Sequence, residues 1–236
     1  MPRFGIDYAW GQPSIASLKK AGVTFVCRYV STPGNTKNLR PDEAARLKKA
    51  GIDIVVVFET VQGRALAGHA AGVADAKSAE AQVIGAGGPP GSIIYFAVDF
   101  DASDAERLKV NEYLRGAGAI LGLHRVGVYG GLRVVRDALD ARVAVYAWQT
   151  YAWSGGVWDL RACLHQYSNG HRIDGVSVDY DQATAPDFGQ WYPPRTDPIV
   201  YKPPVLGALP GPAKKPPWFW AALREFLARR KKNTPL

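Results

Sequence analysis

Apolar residues along this chain come in short runs that end in polar ones. Eight such runs, near 3–8, 23–29, 52–59, 92–99, 125–129, 143–149, 162–167 and 175–180, have the length and composition of strands. Helical patterns separate the first five. Pro13 opens a segment that runs to Lys20 and stops before Gly22. Pro41 to Ala50 repeats the device, with Asp42 and Glu43 early, Lys48 and Lys49 late and Gly51 as the stop, a charge order that suits the helix dipole. Stretches 68–86 and 103–121 are longer and Ala-rich, and Ser103 with Glu106 has the spacing of a capping box. A fifth helix fits 131–139.

Strand–helix alternation predicts a parallel sheet with helical crossovers, and eight strands predict closure into a (β/α)₈ barrel. The connections after the sixth and seventh strands are too short for full helices, so the barrel is a trimmed one over residues 1–188. Composition changes beyond it. Ten of the 32 residues from 186 to 217 are proline, which predicts an extended linker over 189–217. Residues 218–236 begin with Trp218, Phe219 and Trp220 and end in basic residues, the pattern of a short amphipathic helix.

In a barrel, side chains at the C-terminal strand ends face the open mouth, and strand parity decides which point inward. Asp99 and Asp101 share the face of Tyr95 and Ala97, whereas Phe96, Val98 and Phe100 take the helix-facing side. Asp179 and Asp181 share the face of Gly175 and Ser177 in the last strand. Asp7 ends the first strand and Glu59 the third. Six carboxylates at one rim disfavour joint ionisation, so at least one should have its pKa raised. A protonated acid beside an ionised partner is what glycoside cleavage requires. A lone aspartate at a strand end is more often a cap or turn former, the reading given to Asp104 and Asp187. Clustered carboxylates also suit Mg²⁺ or Ca²⁺, a competing reading; no metal or cofactor is assigned.

Aromatic and amide residues fall at the same rim: Tyr8, Trp10, Tyr29, Tyr129, Trp148, Gln149, Tyr151, Trp153, Gln166 and Tyr167. Flat rings beside amides suit sugars, with Tyr29, Tyr129, Trp148, Trp153, Gln166 and Asp181 as the binding set and loop 149–158 as a substrate wall. His165 points away from the lumen by parity and reads as structural. The glycine-rich pieces at 85–88 and 127–131 match no phosphate loop.

Charge and cysteine content narrow the partners. The net charge is +8, and residues 218–236 supply four of those charges through Arg224, Arg229, Arg230, Lys231 and Lys232 against Glu225. The body is only mildly basic, so no nucleic-acid partner is expected. The tail suits a protein partner or an anionic membrane surface. Cys27 and Cys163 lie in apolar runs and read as buried thiols rather than a disulfide framework. Neither a secretory signal pattern nor an apolar run of membrane-spanning length is seen.

Phe4-Gly5-Ile6-Asp7, Tyr95 to Asp101, Val126 to Gly130, Gln166-Tyr167-Ser168 and Val178-Asp179-Tyr180-Asp181 occur in that order. As a set they resemble the bacterial glycoside-hydrolase-like domain of unknown function 1906, the Rv2525c-like group, and more distantly the family 25 lysozymes, the muramidases. The resemblance covers residues 3–188. It implies a trimmed barrel acting on bacterial cell-wall glycan, with relatives in cell-wall proteins, phage lysins and virion proteins. It also implies that Asp7 and Asp179 line the site and that Asp99 is the first acid of the muramidase Asp-x-Glu motif. The second acid of that motif, the proton donor, is Asp101 here, one methylene shorter than glutamate. Three alternatives follow. Asp101 is the acid on a shifted backbone, Glu59 is the acid, or the site binds glycan without cutting it. The expected function is a peptidoglycan-directed glycoside hydrolase, with a non-catalytic glycan-binding or structural module of a cell wall or phage particle as the alternative.

Overall fold

The computed structural model describes residues 3–191. The expected helix at 218–236 and nearly all of the expected linker lie outside the described residues. Eight strands close a barrel in sequence order: β1 (Arg3–Tyr8), β2 (Phe25–Val30), β3 (Asp53–Phe58), β4 (Ile94–Ala97), β5 (Val126–Gly130), β6 (Tyr146–Thr150), β7 (Leu164–Ile173) and β8 (Val176–Ala183). Five α-helices follow the first five strands: α1 (Ile15–Lys20), α2 (Pro41–Lys49), α3 (Gly68–Gly85), α4 (Asp104–Leu121) and α5 (Leu132–Asp140). The architecture is a TIM-type barrel with its last helices trimmed away.

Local chemistry explains the helix starts. Pro41 is the first residue of α2. Glu106 reaches back to the Ser103 backbone N–H at 2.8 Å and completes the box at the start of α4. Helix α1 begins two residues after Pro13, because Ser14 is the cap and accepts from the Ser17 backbone N–H.

Strand parity sorts the core into two layers. Ile6, Val26, Ile54, Val56, Phe96, Val98, Val126 and Val128 face outward and pack with Leu18, Leu47, Val83, Leu114 and Val135 of the helices. Phe25, Cys27, Val55, Val57, Tyr95, Trp148 and Leu164 fill the lumen. Phe188, in the chain that follows β8, closes the floor, 4.8 Å from the Phe25 ring. Its carbonyl accepts the Tyr95 hydroxyl at 2.8 Å. The chain stays packed through Trp191, whose backbone N–H donates to the Ile54 carbonyl.

The sheet is not wholly parallel. The last strand runs antiparallel to both neighbours. Asp174 and Gly175 join β7 to β8 with φ of 55° and 76°, both left-handed, as the tightest hairpin turn demands. A two-residue link cannot cross over as a parallel connection does. The acids of β8 are therefore ordered opposite to those of a parallel strand. Asp179 sits level with Asp7, and Asp181 sits deeper, level with Gly5.

Gly5 is needed where the lumen is tightest, since a Cβ there would lie 2.3 Å from the Phe25 ring. Gly5→Ala should cost about 1–3 kcal/mol by overpacking, and adding Phe25→Leu should restore part of the loss. Chemical denaturation of the single and double variants checks this; strictly additive losses would contradict it.

Candidate active site

Asp7, at the end of β1, points into the lumen and is 3% exposed. Its Oδ1 accepts from the Tyr29 hydroxyl on β2 at 3.0 Å, and its Oδ2 accepts from Gln166 Nε2 on β7 at 2.8 Å. Gln166 is held from the other side, its Oε1 accepting from the Tyr129 hydroxyl at 2.9 Å and Thr150 Oγ1 at 2.8 Å. The same Nε2 lies 3.4 Å from Asp179 Oδ2. Asp179 Oδ1 accepts the Gly170 backbone N–H at 3.0 Å. Below them Asp181 is fully buried and accepts from Trp148 Nε1 at 2.9 Å.

The electrostatics follow from burial without a counter-cation. Burial, then the neighbouring Asp179 charge, pushes Asp7 up to about 7, against the lowering hydrogen bonds of Gln166 and Tyr29. Burial and Asp7 hold Asp181 well above the usual carboxylate range. Asp99, two residues past the end of β4, is exposed at the rim but raised by partial desolvation and by Asp179, with Lys37 pulling the other way. Asp179 is raised by desolvation and lowered by its Gly170 hydrogen bond and by His171.

The other two rim acids are engaged by basic groups. Asp101, 52% exposed, pairs with Arg133 on α5 at 2.7 Å. Glu59 pairs with Lys37 at 3.2 Å, and Lys37 also lies over the Tyr29 ring. Lys37, Arg133, Thr150 and Gly170 were not singled out from sequence; they sit in a loop, on a helix start, at the end of β6 and on the β7–β8 hairpin.

The expected binding residues divide by depth. Tyr29, Tyr129 and Gln166 line the lumen above Asp7. Trp148 and Asp181 form its buried floor instead of a wall. Trp153 stands at the rim, 40% exposed, with a left-handed backbone at φ 55°. Gln149 does not face the mouth. It is buried and ties down the 151–159 loop, donating to Ser154 Oγ and the Val157 carbonyl and accepting from the Asp159 N–H. Tyr8 likewise turns to the outer layer, where it donates to Glu43, itself paired with the buried Arg28. His165 stacks on Trp158 at 4.1 Å, outside the lumen, and burial pushes it down to about 4. Asp104 lies in the first turn of α4, and Asp187 accepts from the Tyr146 hydroxyl and the Gly189 N–H. Both cysteines are buried and free of any disulfide. No group of three or more His, Cys, Asp or Glu among the described residues is arranged to hold a metal ion.

Comparison with known proteins is decisive for kinship. The model of the Rv2525c-like, glycoside hydrolase-like domain matches residues 16–184. The chain belongs to this family. It is 31% identical over 199 residues to the Mycobacterium tuberculosis protein named "Putative peptidoglycan hydrolase Rv2525c", covering 79% of this chain and 82% of that one. The crystal structure of that Tat-secreted protein with L-tartrate superposes with a TM-score of 0.76, over 80% of this chain and 98% of that one. More distant is the catalytic domain of endolysin ply40 from Listeria monocytogenes bacteriophage P40, with a TM-score of 0.55 at 16% identity over 78% of this chain and 94% of that one. So is GHIP, a glycosyl hydrolase 25 of Streptococcus pneumoniae, with a TM-score of 0.55 at 17% identity over 78% of this chain and 87% of that one. At those identities the likeness is one of fold.

The raised Asp7 makes a stability prediction for this family member. Between 3.8 and about 7 the folded chain keeps a proton on Asp7 that the unfolded chain has released. Its contribution is full below the lower value and is lost as pH rises through the upper one. Asp7→Asn should therefore melt at progressively higher temperature relative to the parent as pH goes from about 4 to 8. Calorimetry over that range checks it; a constant offset between the two proteins would contradict it.

Proposed function

We propose that this domain is a glycoside hydrolase directed at bacterial cell-wall glycan, working outside the cytoplasm, with Asp99 as its general acid. The observation that carries the reading is that Asp99 and Asp179, at the barrel mouth, lack the basic partners that engage Glu59 and Asp101 among the described residues. Both are raised by desolvation, Asp99 is raised further by the Asp179 charge, and neither forms an ion pair with a lysine or arginine among the described residues. Asp101 and Glu59, the other candidates for the acid, are each engaged by a basic side chain. Kinship supports the substrate, since the Mycobacterium tuberculosis relative carries the peptidoglycan hydrolase name and is Tat-secreted.

In this chemistry Asp99 gives its proton to the glycosidic oxygen as the bond to the anomeric carbon breaks. Asp179, ionised and fixed by Gly170, faces the positive charge that develops on the sugar. Water adds at the anomeric carbon and returns a proton to Asp99. Asp7 orients Gln166 and Tyr29 beneath the sugar, and Tyr129 and Trp153 offer ring faces to it. The pairing of Asp101 with Arg133 favours a second reading, a glycan-binding or structural module of a wall or phage particle that does not cut.

One experiment separates them. On purified peptidoglycan the parent should release reducing sugars, and Asp99→Asn and Asp179→Asn should lower the rate about 10²–10⁴-fold, while Asp101→Asn changes it less than about tenfold. Retention on the wall without sugar release would give the second reading instead. Full activity of Asp99→Asn would remove the acid role.

A further inference from the structure

One fully buried oxygen in the lumen has no conventional partner. Asp181 Oδ1 accepts from Trp148 Nε1 at 2.9 Å, but Asp181 Oδ2 receives no N–H or hydroxyl donor. Buried polar atoms are almost always hydrogen-bonded, so this one needs an explanation. The group it faces is the Asp7 carboxyl, on the neighbouring strand of the closed barrel.

We propose that Asp181 is a positioning residue: when Asp7 ionises, Asp181 stays a neutral carboxylic acid and donates its hydrogen from Oδ2 to Asp7, leaving Asp7 as the charge-bearing member of the pair. Two carboxylates in contact inside a barrel cannot both be ionised without a cation, so one hydrogen must lie between them. The titratable groups around Asp181 are Asp7 on β1, Cys27 on β2, Tyr129 on β5, Tyr167 on β7 and Asp179 on its own strand. None of these carries a positive charge. A metal ion is the other way to satisfy the oxygen, and no group of three or more ligating side chains among the described residues is arranged for one.

The donor inventory decides which acid holds the hydrogen. Asp7 already receives two donors, Tyr29 on one oxygen and Gln166 on the other, and donors stabilise the charged form. Asp181 receives one. The lower-energy assignment makes Asp181 the third donor to Asp7. Burial holds both acids upward. The consequence is positional. A neutral acid in the floor fixes the plane of Asp7, and Asp7 fixes the Gln166 amide that also points at Asp179. The protonation state rests on this geometry alone; its service to catalysis rests on the glycosidase reading above.

Carbon-13 NMR of the full chain labelled at aspartate carboxyl carbons tests the state without any assay. Above about pH 7, where Asp7 has ionised, one carboxyl carbon of the parent should keep the chemical shift of a protonated acid, and Asp181→Asn should remove that signal. If every aspartate of the parent has ionised by about pH 8, the proposal fails, whatever the variants do. If the protonated signal survives in Asp181→Asn, it belongs to another residue and the proposal fails as well. Sugar release tests the role. Asn at 181 can still donate to Asp7 and accept from Trp148, so it should keep kcat within about threefold, whereas Asp181→Leu should lower kcat by at least about tenfold with KM little changed. Equal loss in both variants would overturn the positioning role. A parent that releases no sugar would sink the glycosidase reading and leave the NMR result to decide the protonation state.

Discussion

Asp7 and Asp181 lie side by side inside a closed barrel, and no lysine or arginine among the described residues forms an ion pair with either. A carboxyl group in that setting is tolerable only with hydrogen-bond donors aimed at it or with its proton retained. The lumen supplies donors from separate strands: Tyr29 from β2, Trp148 from β6 and Gln166 from β7. Gln166 is in turn fixed by Tyr129 from β5 and Thr150 from β6. The network exists only because the sheet closes, and a shift of register in a strand that carries an acid or its donor would leave a buried acid without a donor. Polar satisfaction and barrel closure are thus one constraint.

That constraint depends on the direction of β8. Running antiparallel, it sets Asp179 level with Asp7 and Asp181 level with Gly5. One aspartate of the pair is thereby half-buried near the mouth, where Gly170 can cap it, and the other is sealed in the floor. A parallel β8 with the same residues would place Asp181 nearer the mouth than Asp179. The Asp174–Gly175 turn, with both residues left-handed, is what imposes the reversal.

The barrel itself was legible in the sequence because strand parity and helix punctuation are local. Tyr95 and Ala97 face the lumen and Phe96 and Val98 the helices, as alternation predicts, and Pro41 and the Ser103–Glu106 pair start their helices as read. The direction of the last strand was missed, although an Asp-Gly pair between two apolar runs is a recognised hairpin signal. Spacing of the carboxylates was only half informative. Parity gave their face but not their depth: Trp148 and Asp181, expected in the binding set, lie buried in the floor. Tyr8 and Gln149, placed at the rim from sequence against their parity with Asp7 and Trp148, turn to the outer layer and to the 151–159 loop. Ion pairing was beyond reach, because Lys37 and Arg133 come from a loop and a helix start, distant in sequence from the acids they engage.

Those two pairings divide the acids into classes with different chemical prospects. Glu59 pairs with Lys37 and Asp101 with Arg133, whereas Asp99 and Asp179 form no such pair among the described residues and the Asp179 charge acts on Asp99. Acid and base roles follow from environments that push similar groups apart, and here the division runs between acids with and without a basic partner. The aspartate at 101, where muramidases carry glutamate, then matters through its partner more than its length. That partner is Arg133, 2.7 Å away. On the proposed glycosidase reading, chemistry in this barrel falls to Asp99 and Asp179, and the hydrogen proposed to lie between Asp7 and Asp181 keeps the floor from adding a second negative charge beneath them.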